Sequence, residues 1–334
     1  VMDTVVLAYV RATVENGDGK TADGWGAMFM ADMWGWPSPV VESRLRSEAM
    51  VEVTRRICRL FEKYEEAGHP VDIYHDLADE FQPVADDVIA ERELPEKMPH
   101  LCVLVCASPV DAAIHDAFGN VNGISTFDGY GKEFCTYDLS RYLGEEFKGK
   151  YIAEVIRPMP ERIPAFHLVG GLDKLRESEI DDEDPHDGLP VSLDQWIRYE
   201  HLHCLKIKLK GSDLDWDVQR IIDVTDIAHE EHEKLGLEGL YFSADTNEQC
   251  PNPDYIVEML ERLKERSARA YEELLYVEQP TERDLRANRW DMRKIAALKP
   301  VIIDESLTSL EDFDHTVALL RATLQALPRA WQQA

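Results

Sequence analysis

Three short apolar runs, each closing on an acid, restrict this chain more than any other feature. Residues 240–247 read LYFSADTN, 274–280 read LLYVEQP and 301–306 read VIIDES. Each has the length of a buried strand. In the first, Asp245 and Asn247 share one side, because successive strand side chains alternate between faces. Helix-like stretches at 255–274 and 282–298 separate the runs, so strand and helix alternate as in a parallel α/β fold.

Acids at the C-terminal ends of successive parallel strands converge at the mouth of a barrel, the end where such enzymes place their chemistry. Asp245, Glu278 and Asp304 would repel one another there, and a hard divalent cation such as Mg²⁺ would relieve that repulsion. The competing reading is that each acid caps the helix after its strand. The preceding strand, 204–211 (CLKIKLKG), bears on the choice, since it sets Lys206, Lys208 and Lys210 on one face. Buried lysines are costly unless they meet negative charge, and burial beside a metal lowers their pKa toward that of a usable base. A solvated edge strand is the alternative, weakened by the acid ends of the next three strands.

Lys206-x-Lys208, then Asp245-x-Asn247, then Glu278-Gln279-Pro280, then Asp304-Glu305-Ser306, in this order, resemble the enolase superfamily in its mandelate racemase and muconate lactonizing enzyme branch. The resemblance implies an α/β chain in which an N-terminal α+β capping domain precedes a TIM-like (β/α)7β barrel. It implies Mg²⁺ held by Asp245, Glu278 and Asp304, with Asn247 and Glu305 beside the metal or the substrate. Lys208 would be the base that takes a proton α to a substrate carboxylate, and Lys206 would lower its pKa and touch the carboxylate. The reaction would pass through an enediolate, as racemisation, epimerisation, cycloisomerisation or dehydration.

The chain of 334 residues has room for about two domains, expected at 1–150 for the cap and 151–334 for the barrel. The opening strand 4–15, a turn at 16–20 and a second strand at 21–30 resemble the family's small antiparallel sheet with one strand missing upstream. Helices are expected at 43–67 and 70–89, joined at Gly68–His69, and at 109–122, where His115 and Asp116 read as helix-face residues. Trp25, Trp34 and Trp36 would either line a substrate pocket or fill the core of the sheet. Barrel strands are expected at 164–170, 204–210, 240–246, 274–279 and 301–305, with a helix at 192–199. That makes five of eight.

A formal charge of −29 argues against a nucleic-acid partner and against an anionic membrane surface. The expected partners are a small-molecule carboxylate substrate and further copies of the chain in a homo-oligomer. Six cysteines without a CxxC pair read as free thiols in a reducing cytosol, and no apolar run is read as long enough to span a membrane. His201 and His203 precede the lysine strand at its N-terminal end, the stability side of a barrel, and AHEEHEK departs from HExxH by one residue. No lysine follows Lys299, where the family carries a second one, and the end ALLRATLQALPRAWQQA lacks acids. Two readings therefore stand: an enzyme that abstracts an α-proton, or a catalytically incompetent fragment that binds metal, serves in assembly or is a gene-model product.

Overall fold

The computed structural model describes residues 5–157 and 160–313. The chain forms two compact units, Val1–Met159 and Pro160–Ala334, so the division falls slightly beyond the expected 150/151 boundary.

In the first unit, β1 (Leu7–Glu15) and β2 (Thr21–Phe29) form an antiparallel hairpin. The Asn16 carboxamide oxygen accepts from the backbone N–H of Asp18 and Lys20 and so holds the turn. Among the described residues five α-helices follow: α1 (Asp32–Gly35), α2 (Ser43–Glu62), α3 (Pro70–Glu91), α4 (His100–Asn122) and α5 (Ser140–Leu143). Gly24 and Gly26 let β2 lie directly on α4. A Cβ at Gly26 would stand 2.0 Å from the Pro109 carbonyl oxygen, and one at Gly24 2.0 Å from the Ala117 nitrogen. The helix expected to begin at Pro109 instead begins at His100 and carries Pro109 inside it. Burial of Cys102, Val103, Val105 and Cys106 extends the apolar face a further two turns and outweighs the hydrogen bond that proline removes. In length and composition α4 qualifies as a membrane span, contrary to the sequence reading, and here it is the central core helix of its unit. Asp116 accepts from the Trp25 N–H at 2.8 Å and His115 pairs with Asp111, so both are helix-face residues as expected. Trp36 is fully buried in the core, whereas Trp25 stacks on Tyr9 on the exposed face of the hairpin. The pocket reading is not supported for Trp36.

In the second unit, β3 (His167–Val169), β4 (Cys204–Lys208), β5 (Tyr241–Asp245), β6 (Leu274–Glu278) and β7 (Val301–Ile302) form one parallel sheet in chain order. The helices are α6 (Leu193–Glu200), α7 (Leu214–Leu235), α8 (Pro253–Arg266), α9 (Ala268–Glu273) and α10 (Arg293–Ala296). Leu205, Ile207, Phe242, Ala244 and Val277 share one core with Val218, Ile221, Ile256, Met259 and Leu260 of the helices. Strand alternation then sends Lys206, Lys208, Ser243, Asp245, Tyr276 and Glu278 to the opposite, inner face. The result is the partial TIM-like barrel expected, with five strands among the described residues and an α/β order throughout.

Details depart from expectation where side chains redirect the backbone. The helix read over 255–274 is two helices, because Ser267 leaves the first and caps the second by accepting from the Ala270 N–H. Most of 282–298 is irregular, since the Asp284 carboxylate gathers the N–H groups of Arg286 and Ala287 into a turn and leaves only α10 helical. β7 is two residues long, so Asp304 lies just past the strand instead of on it. The acid-free chain end lies outside the described residues.

Candidate active site

Parallel register places the charged side chains of the inner face side by side. Lys208 is level with Asp245, Asp245 with Glu278, and Glu278 with Ile302, two residues before Asp304. The acids therefore stand at the C-terminal ends of three neighbouring strands, as the spacing suggests. Lys206 Nζ lies 2.6 Å from Glu278 Oε1 and 2.9 Å from Asp245 Oδ2, and Lys208 Nζ lies 2.5 Å from the same Asp245 oxygen. Asp245 is 1% exposed and Glu278 8%, so these ion pairs form largely out of water. Each charge there depends on its partner.

Lys210, placed by the sequence on the same face, is elsewhere. The strand ends at Lys208, where the Lys210 and Gly211 N–H groups turn to the buried Asp217 carboxylate. Lys210 Nζ instead pairs with Asp213 at 3.3 Å and sits 4.4 Å above the Trp216 ring. Asn247 does join the site. Its backbone, at φ +45°, donates to Asp245 Oδ1 at 2.7 Å, and its side-chain amide reaches Glu305 Oε1 at 3.4 Å. Glu305 is buried beside it. The histidines stay apart: His203 bonds the Gly239 carbonyl, His232 the Leu202 carbonyl and His229 the Glu273 carboxylate, none of them at the acid-bearing ends.

Two electrostatic consequences follow. Burial draws Lys206 downward, but hydrogen bonds to Glu278 and Asp245 outweigh it and push the ammonium up to about 12. The carboxylates that face Lys206 hold its proton. Asp304 shifts the other way from the usual paired acid. Burial, then the charges of Glu305, Glu278 and Asp245, raise its carboxyl to about 6, with Lys206 only partly compensating.

A magnesium ion suits this donor set in chemistry: three carboxylates on adjacent strand ends, one of them crowded by like charge that a dication would relieve. As the side chains stand, Lys206 bridges two of the three acids, and among the described residues no group of three or more His, Cys, Asp or Glu side chains is arranged as a ready cage. Holding the ion would require Lys206 Nζ to yield its place between Asp245 and Glu278.

Sequence reasoning assigned no task to Gln279 or Arg283. Arg283 clasps Glu248 through Nε at 2.8 Å and Nη2 at 2.5 Å, tying the loop after β6 to the loop after β5. Glu248 and Gln279 also have positive φ, +61° and +31°, at the same ends of the sheet as Asn247. Non-glycine residues adopt such angles only where surroundings hold them. Nothing in residue spacing signals this.

No family model matches the chain, and no curated protein matches it. Among solved structures the fold is similar to a mandelate racemase/muconate lactonizing enzyme from Roseiflexus sp., at 16% identity and a TM-score of 0.52, over 96% of this chain and 70% of that one. It is likewise similar to a substrate-liganded L-Ala-D/L-Glu epimerase from Bacillus subtilis, at 13% identity and a TM-score of 0.52, over 96% of this chain and 72% of that one. At such identities the likeness is one of fold, and the fold is that of mandelate racemase/muconate lactonizing enzyme structures.

Proposed function

We propose that this chain carries the site of a Mg²⁺-assisted enzyme that removes a proton α to a carboxylate. The observation that carries the reading is the register that sets Lys208 level with Asp245 and Asp245 level with Glu278, with Lys206 Nζ reaching both acids and Asp304 just past the next strand. One end of a parallel sheet has no structural need for two partly buried lysines facing two buried acids and a third just beyond them. The similarity of fold to a racemase-type enzyme and an epimerase supports the same class of reaction.

In this reading Asp245, Glu278 and Asp304 would hold the ion, which when bound would supply positive charge against a substrate carboxylate and against the negative charge left when the proton departs. Lys206, which would leave its place between Asp245 and Glu278 to admit the ion, would offer a second cation to the carboxylate. Lys208, whose Nζ lies beside Asp245, would take the α-proton and return it to the same face. Asn247 keeps Asp245 oriented through its backbone N–H, and Glu305 orients Asn247. The substrate is a 2-substituted carboxylate small enough to enter the inner face of the sheet.

Incubation of the chain with Mg²⁺ in D₂O and a panel of acid sugars, dipeptides and N-acyl amino acids, followed by NMR, tests the function. Loss of the α-proton signal from at least one compound is expected. A folded, Mg²⁺-loaded protein that exchanges none of them would favour the inert, metal-binding reading over the enzyme.

A further inference from the structure

We infer that Gln279 is a positioning residue, the side chain that sets the third acid, Asp304, against the other two; the inference rests on the metal-site reading above. Gln279 is 1% exposed, and all four hydrogen-bonding positions of its carboxamide are filled. Its Oε1 accepts from the Asp304 N–H at 3.0 Å and the Ser306 N–H at 3.3 Å. Its Nε2 donates to the Thr281 carbonyl at 2.9 Å and to Ser306 Oγ at 2.7 Å. Two backbone donors on one side and a carbonyl on the other admit only this orientation of the amide.

The Gln279 backbone reaches the remaining strands. Its N–H donates to the Ile302 carbonyl at 2.9 Å, and its carbonyl accepts from the Glu248 N–H at 2.8 Å and from Thr246 Oγ1 at 3.4 Å. One residue therefore touches the segment after Asp245, follows Glu278 directly, and holds Asp304 by its own amide. β7 ends at Ile302, so no strand ladder carries the order on to Asp304. The Gln279 carboxamide takes over that task across two residues of irregular chain. Its φ of +31° is the strained conformation that aims the side chain there.

No other side chain of this size can replace it. Glu keeps the acceptor and loses both donors, Met keeps the volume and loses all four bonds, and Asn is one methylene short. The carboxamide of Gln279 brings no charge to the site; its bonds are all to the loop backbone and Ser306.

Gln279→Met tests this, with Ser306→Ala as a milder second variant that removes one of the four bonds. Amide hydrogen exchange in the ion-free chain reads the staple itself: Asp304 and Ser306 should exchange at least about tenfold faster in Gln279→Met, while β4 and β5 amides keep their rates. With the ion added, calorimetry should show Mg²⁺ bound about tenfold more weakly although all three acids remain. Mn²⁺ in its place should give an altered electron paramagnetic resonance spectrum, which a merely stabilising side chain would not change. Ser306→Ala should move each reading the same way by less. Unchanged exchange at Asp304 and Ser306, or unchanged affinity and Mn²⁺ spectrum, overturns the inference. Failure of the parent chain to bind Mg²⁺ would instead remove the metal-site reading, and the exchange rates would still decide whether Gln279 fixes Asp304.

Discussion

Asp304 is the residue through which pH should act on the site. Burial and the neighbouring charges of Glu305, Glu278 and Asp245 hold its carboxyl near 6. Its folded value lies above the unfolded value of 3.8, so the group favours the folded state fully below about pH 4 and loses that contribution as pH rises through 6. A bound cation must displace that proton, so Mg²⁺ affinity should fall by up to about tenfold per pH unit below 6 and level off above 7. Calorimetry at several pH values measures the profile, and Asp304→Asn should remove its lower arm while weakening binding at pH 7.5 by at least about tenfold. A flat profile in the parent would separate Asp304 from the ion. The acids were legible in the sequence because each closes an apolar run, and Lys206 and Lys208 because strand parity puts them together. The proton on Lys206 was not legible, since it depends on Nζ lying within 2.9 Å of two carboxylates.

At the scale of elements, two contacts of the first unit carry measurable weight. His69 precedes α3 and accepts the Val71 N–H on Nδ1, a cap that protonation would abolish. Burial, with the charge of His115 adding to it and Asp72 opposing, pushes its imidazole down to about 4. A folded value below the unfolded 6.5 means that the contribution is intact above pH 6.5 and is lost as pH falls toward 4, at most about 3 kcal/mol. The midpoint of denaturant unfolding should therefore decline between pH 6.5 and 4, and His69→Asn, which caps without titrating, should flatten that decline. An equal decline in both proteins would assign it to other groups. The second contact is the seat of β2 on α4. Gly26→Ala drives a methyl into the Pro109 carbonyl and should destabilise by roughly 1–3 kcal/mol or more. Gly17→Ala, in open space, should change stability by about 0.5 kcal/mol at most. Equal effects would mean that the close seat has little weight. Helix existence was readable from apolar periodicity here, but the start of α4 was not, because Pro109 looks like an entrance and is an interior residue. In the same way Ser267 and Asp284 cut the later helices through local hydrogen bonds that periodicity does not register.

For the whole molecule, five parallel strands in chain order followed from alternating apolar runs, and the inner face followed from their parity. The ends of β5, β6 and β7 did not, since they depend on Asn247, Glu248 and Gln279 at positive φ and on side-chain bonds between loops. Among the described residues β3 and β7 are the unpaired margins of the sheet. Such margins favour pairing between chains, whereas a net charge of −29 opposes it at low salt. Sedimentation should accordingly show self-association that strengthens from low to physiological ionic strength, and a monomer at every salt concentration would contradict this. Lys208 is proposed to move an α-proton on one face of a carboxylate substrate. The most direct test of this role is deuterium uptake from D₂O, with Mg²⁺ present, into the separate enantiomers of whichever carboxylate the chain accepts. Uptake into one enantiomer is expected, with little conversion to the other and with loss of uptake in Lys208→Ala while Mg²⁺ remains bound. Uptake that persists in folded Lys208→Ala would contradict the role.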